Sequence, residues 1–95
     1  MDARPATPCP LPERLALDTV GALHARWLGK EADVGALDLG AVRQIDSAGV
    51  ALLHWLRERQ RALGCVPSEI RADAAGRYRA LCRAHRLDDM AGESP

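Results

Sequence analysis

The run Asp46-Ser47-Ala48-Gly49 holds the residues best placed to do chemistry, because it stands directly ahead of a long stretch with helical spacing. A carboxylate or hydroxyl at a helix start accepts hydrogen bonds from the first unpaired backbone N–H groups, so Asp46 or Ser47 suits the N-cap. Gly49 in the first turn leaves the backbone uncovered, which lets another surface come close. The hydroxyl of Ser47 is also a good position for a charge switch. The helix dipole favours a phosphate there, yet the phosphate adds roughly −1.5 to −2 charges beside Asp46 and repels a partner that must desolvate the patch. Other reactive groups fit known chemistry poorly. Asp38, at a strand end, and Asp46 can converge, but an acid–base pair needs a pocket that a small domain rarely encloses. Cys9, Cys65 and Cys82 form no CxxC pair, and with His24, His54 and His85 they show no metal-ligand spacing. No glycine-rich phosphate loop and no G-x-S-x-G elbow is present. The expectation is a protein without catalysis, metal or cofactor.

The element that must position this turn is the helix after it. From Ala48 to Leu63, residues Ala48, Leu52, Leu53, Leu56 and Leu63 share one side, with Trp55 at its margin. Val50, His54, Arg57 and Arg61 lie opposite, towards solvent, so Ser47 and Val50 stay at the rim; His54, Arg57 and Arg61 suit either a docking face completed with Val50 or a solvated helix surface. Arg is favoured at interface hot spots, which adds weight to Arg57. Gly64 suits the positive φ that ends such a helix.

Ahead of it, Val34 to Leu39 (VGALDL) is near-continuously apolar and reads as a strand covered on both sides. Asp18 reads as the N-cap of a helix from Thr19 to Lys30, with Val20, Leu23 and Trp27 on its inner face. Pro5, Pro8, Pro10 and Pro12 leave room for a ragged edge strand at most between Pro10 and Leu17. After Gly64, Cys65 to Ala72 contains a weak edge strand. Asp73 then caps a helix from Ala74 to Arg86, with Tyr78, Leu81, Cys82 and His85 inward. Trp27, Trp55 and Tyr78 belong to the core. Alternating helices and strands imply an α/β layer sandwich with right-handed crossovers.

Ninety-five residues make one domain: a flexible Pro-rich lead at 1–10, a body at 11–87 and an acidic, frayed tail at 88–95. Thirteen basic and thirteen acidic residues cancel, which argues against nucleic acid as a partner. Eight arginines from Arg57 to Arg86 face only Glu58, Glu69 and Asp73, so an acidic partner or phosphates suit this half, as does a solvated helix surface. The uncharged stretch Ser47 to Leu56 is far too short to span a bilayer, and the lead lacks the apolar stretch of a signal peptide. A cytoplasmic protein is expected.

The segment LDLGAVRQIDSAGVALLHWL, Leu37 to Leu56, resembles the STAS domain family, found in bacterial anti-sigma factor antagonists and in the cytosolic tails of sulfate transporters. The likeness lies in a buried strand ending in Asp-Leu, a short link, and Asp-Ser-x-Gly-Val opening a helix. It extends over about residues 11–87, and within the family it is nearest the small STAS subunits of Mla-type phospholipid transport systems. The supports for that are Ala51 to His54 and Tyr78 to Leu87. The resemblance implies a STAS-like α/β fold, a small mixed sheet of about three to four strands against three to four helices. The opening hairpin is shortened, because Pro10, Pro12 and Glu13-Arg14-Leu15 occupy its place. It also implies partner binding through Asp46, Ser47, Gly49, Val50, His54 and Arg57. The implied partner is the cytosolic ATPase of an ABC-type phospholipid transporter, which would hold the chain peripherally at the inner membrane. The alternative is an anti-sigma factor antagonist whose Ser47 is phosphorylated by a partner kinase. Exposed sheet edges leave oligomerisation open.

Overall fold

A computed structural model of the chain describes residues 9–73 and 76–84. The Pro-rich lead as far as residue 8, Ala74 and Ala75, His85 to Leu87 and the acidic tail lie outside the described residues, and with them the expected start of the last helix and the expected inward His85. Within them the order is β1 (Cys9–Pro10), β2 (Arg14–Leu15), α1 (Val20–Trp27), a 3-10 turn (Glu31–Asp33), β3 (Leu37–Asp38), β4 (Gln44–Ile45), α2 (Ser47–Ala62), β5 (Ile70–Arg71) and α3 (Arg77–Ala84).

The strands form two small parallel sheets instead of one mixed sheet. One has the order β1-β3-β5 and the other pairs β2 with β4. Leu37 at the centre faces Cys9 on one side and Ile70 on the other. The opening residues therefore make no hairpin with each other. The Cys9 N–H donates to the Ala36 carbonyl at 2.6 Å, and the Arg43 N–H donates to the Glu13 carbonyl at 2.7 Å. Pro10, which has no N–H to give, sits on an edge strand as its chemistry demands. The VGALDL run is extended and buried at Val34, Leu37 and Leu39, although only Leu37–Asp38 is paired as strand.

The first helix is shorter than its spacing implied. Thr19 is its N-cap and contributes no side-chain cap bond. The Thr19 hydroxyl is turned back instead, accepting from Ala16 N–H at 3.0 Å and donating to the Arg14 carbonyl at 2.8 Å. Asp18, expected at the cap, pairs with Arg14 at 2.9 Å. Gly29 then stops the helix with φ +84°.

The long helix α2 is close to its expected bounds, and Gly64 follows it with φ +81°. Its packing differs on one side. Leu52, Leu53 and Leu56 are buried as expected, but so are Val50 and Arg57, which remain only 1% and 2% exposed. A one-faced reading fails because α2 packs against α1, α3, the 3-10 turn and β4 together. Arg57 interacts with Tyr78 of α3, itself buried. At the other extreme Leu63, expected inward, is 50% exposed. The last helix begins at Arg77 and not at Ala74, so Asp73 is not the residue directly before it; its carboxylate still reaches the first turn of α3, accepting from the Tyr78 and Arg79 N–H groups, both at 3.2 Å. Tyr78 and Cys82 point inward, Leu81 is partly buried, and Trp27 joins the core while Trp55 is only partly buried. The Trp55 ring meets His24 with centroids 4.5 Å apart.

A sealed polar cluster ties the far end of α2 to the loops around it. Gln60 donates to the Ser68 hydroxyl at 2.7 Å and the Glu31 carbonyl at 3.0 Å. Its amide oxygen accepts from Ser68 N–H at 2.7 Å, and the Ser68 hydroxyl donates to the Val34 carbonyl at 3.0 Å. Every strong donor and acceptor of the Gln60 side chain is thereby used, as burial requires.

Candidate functional site

The turn into α2 divides its four signature residues into two groups. Asp46, in extended conformation, is the N-cap: one carboxylate oxygen accepts from Gly49 N–H at 3.1 Å. The other accepts from Leu17 N–H at 3.2 Å, which ties the cap to the turn before α1. These bonds, that from Gly49 foremost, hold the Asp46 carboxyl below its ordinary range, with Arg14 adding a weaker pull. The cap is thus Asp46 and not Ser47.

Gly49 has a different role from the one its spacing suggested. A Cβ there would lie 2.3 Å from the Leu15 carbonyl oxygen and 3.1 Å from an Ile45 side-chain carbon. The surface that comes close at Gly49 is this chain's own strand β2, so the residue sets how tightly α2 seats on the sheet. Val50 and Arg57, placed towards solvent by helical projection, are buried and hold the helix from within. His54 is half-buried and Arg61 exposed.

What this end does offer outward is Ser47, exposed as the first residue of α2. Beside it is Leu17, 78% exposed and linked to the same turn through Asp46. Spacing had pointed to Ser47 but not to Leu17. The one available signal was a large apolar residue ahead of a polar Asp18-Thr19 turn, where no helix face could bury it. The patch therefore combines a hydroxyl, a helix N-terminus and an uncovered apolar side chain. It suits contact with another protein more than covalent chemistry.

The two aspartates considered as a pair are each committed locally. Asp38 accepts from Gly40 N–H at 2.8 Å, closing the turn after β3, while Asp46 caps α2. Cys9 and Cys65 are partly buried free thiols and Cys82 is fully buried in the core. Among the described residues no three His, Cys, Asp or Glu side chains gather as a metal would need. No helix among them is long and apolar enough to cross a membrane.

A concave site that spacing did not disclose lies where the chain leaves β3 and β5. It encloses about 320 Å³, with Leu39, Val42 and Ile45 as apolar lining and Arg43, Asp73 and Arg77 as charged lining. Its residues come from two stretches about thirty positions apart, 39–45 and 72–77, so no local pattern could mark it. No family model, curated protein or solved structure matches this chain.

Proposed function

We propose that the chain is a non-catalytic, STAS-like interaction subunit that binds another protein through the start of α2. The observation that supports this is the division of labour at the turn. Asp46 and Gly49 build it, while Ser47 is exposed at the start of α2, directly after the Asp46 carboxylate that also holds the exposed Leu17. Following the resemblance of Leu37 to Leu56, the partner is the cytosolic ATPase of an ABC-type phospholipid transporter, which would hold the chain at the inner membrane surface. Binding would stabilise the competent ATPase dimer by differential affinity for that state, without contributing a catalytic group.

Co-purification with that ATPase tests the reading. Ser47→Arg places a bulky cation on the patch and is expected to abolish capture while leaving thermal unfolding unchanged. Leu17→Glu should do the same from the neighbouring position. Undiminished capture of both variants would overturn the assignment of this surface. Val50 is unsuitable for such a test, since it is buried.

The exposure of Ser47 at a helix N-terminus also favours a second reading, an anti-sigma factor antagonist switched by phosphorylation. The helix dipole tolerates a phosphate there without unfolding the domain. Intact mass after incubation with ATP and a cognate anti-sigma factor kinase separates the two: a single phosphate on wild type, absent from Ser47→Ala, selects the antagonist.

A further inference from the structure

Strands β3 and β5 run parallel and adjacent, so the chain leaves both at the same end, through Leu39-Gly40 and through Ala72-Asp73. In parallel α/β sheets, crevices beyond the carboxyl ends of strands are where ligands settle, because the connections diverge there. Here those two exits, the link into β4 and the first residue of α3 enclose the cavity of about 320 Å³. That volume is at the small end of ligand sites, enough for a compact molecule and too little for a dinucleotide.

The lining is asymmetric. Leu39, Val42 and Ile45 supply an apolar wall, and Arg43 and Arg77 are the two basic residues of the lining. Arg77 is oriented by donating to the Arg43 carbonyl, which couples the two positions. The one carboxylate in the lining, Asp73, is spent on the Tyr78 and Arg79 N–H groups of α3. Arg43 also reaches Glu13, but at 3.4 Å and with both side chains largely in water. A pair of that kind is weak and yields to a better-placed anion.

We propose that this cavity binds a small phosphate monoester, its phosphate between Arg43 and Arg77 and its organic body against Leu39, Val42 and Ile45. Guanidinium groups match phosphate oxygens in geometry as well as charge, and two of them suit a dianion better than a singly charged carboxylate. The apolar wall selects an organic ester over inorganic phosphate. The site is separate from the α2 start: Ser47 and Leu17 form no part of its lining, so it stands or falls independently of the partner reading.

Titration of the full chain with phenyl phosphate, followed by backbone amide NMR shifts, tests this. The expected result is saturable movement of Leu39, Gly40, Ala72 and Asp73 amides, with phenyl phosphate binding more tightly than benzoate or inorganic phosphate. Arg43→Gln, which gives up no hydrogen bond that orients the loop, should weaken phenyl phosphate about tenfold, the loss of one charge-assisted contact. Arg77→Gln should weaken it at least as much, with an otherwise unchanged spectrum showing that α3 remains in place. The proposal is overturned if no saturable shift occurs or if the shifts fall on the Arg59 and Arg61 surface. It is equally overturned if benzoate binds as tightly as phenyl phosphate, or if both variants bind like wild type.

Discussion

The two ends of α2 use polar side chains in opposite ways. At its start, Asp46 bonds to Gly49 and Leu17 at the surface, and Ser47 next to it faces outward. At its end, Gln60 and Ser68 are sealed from water and bonded to each other and to the carbonyls of Glu31 and Val34. Water can replace a lost bond at the first end and cannot at the second. The difference therefore separates an end whose polar side chains meet water from one whose polar side chains must serve the fold.

The largest effect should follow from Gln60→Ala. It strands Ser68 and the Glu31 carbonyl without water, an expected loss of about 3 kcal/mol in urea unfolding. Ser47→Ala in the same assay should stay within about 0.5 kcal/mol of wild type. Equal losses from the two would erase the contrast.

Gly49→Ala sharpens the boundary within the first end. Its new methyl group must push α2 off the Leu15 carbonyl, costing about 2 kcal/mol. An unchanged unfolding midpoint would mean that the helix slides freely on β2.

Acid should weaken both ends through depressed carboxyls. Glu31 is held low by its own backbone N–H and that of Gly29, and Asp46 by Gly49 N–H. Groups lowered in the folded state stabilise it fully above their unfolded values, the ordinary 4.5 and 3.8. That contribution disappears as pH falls from there through the folded values. Urea midpoints measured down this range should decline for wild type and decline less steeply for Glu31→Gln. An identical slope in the variant would remove Glu31 from the account.

The smallest effect is a gain. Ala72 has φ +63°, a left-handed conformation that glycine adopts freely, so Ala72→Gly should stabilise by about 0.5 kcal/mol. Calorimetric melting would register it, and a loss would show that the methyl group contributes packing at the cavity edge.

These contrasts also explain which features could be read from residue order. The bounds of α2, the Gly64 stop and the Asp73 bonds to α3 depend on neighbours within a few positions, and spacing located them. The burial of Val50 and Arg57 depends on α2 being covered by several elements at once, with Tyr78 of α3 beside Arg57, which periodicity along one helix cannot express. The Gln60–Ser68–Val34 bonds and the pairing of Leu37 with Cys9 and Ile70 join distant positions that carry no local mark. Within the candidate site, Asp46 and Ser47 could be named because a cap is a local device. Leu17 and the arginine-lined cavity depended on segments meeting in space.

The central position of β3 has a bearing on how the molecule assembles. Leu37 requires a neighbour from the beginning of the chain and another from beyond residue 69, and both pairings are parallel. Parallel partners must be brought together across long loops whose closure entropy is spent before any bond forms. While the chain is being synthesised, β3 consequently lacks one neighbour until the segment after α2 has emerged. Nascent chains stalled before Ile70 should remain sensitive to protease, and chains extended through α3 should acquire resistance in a single step.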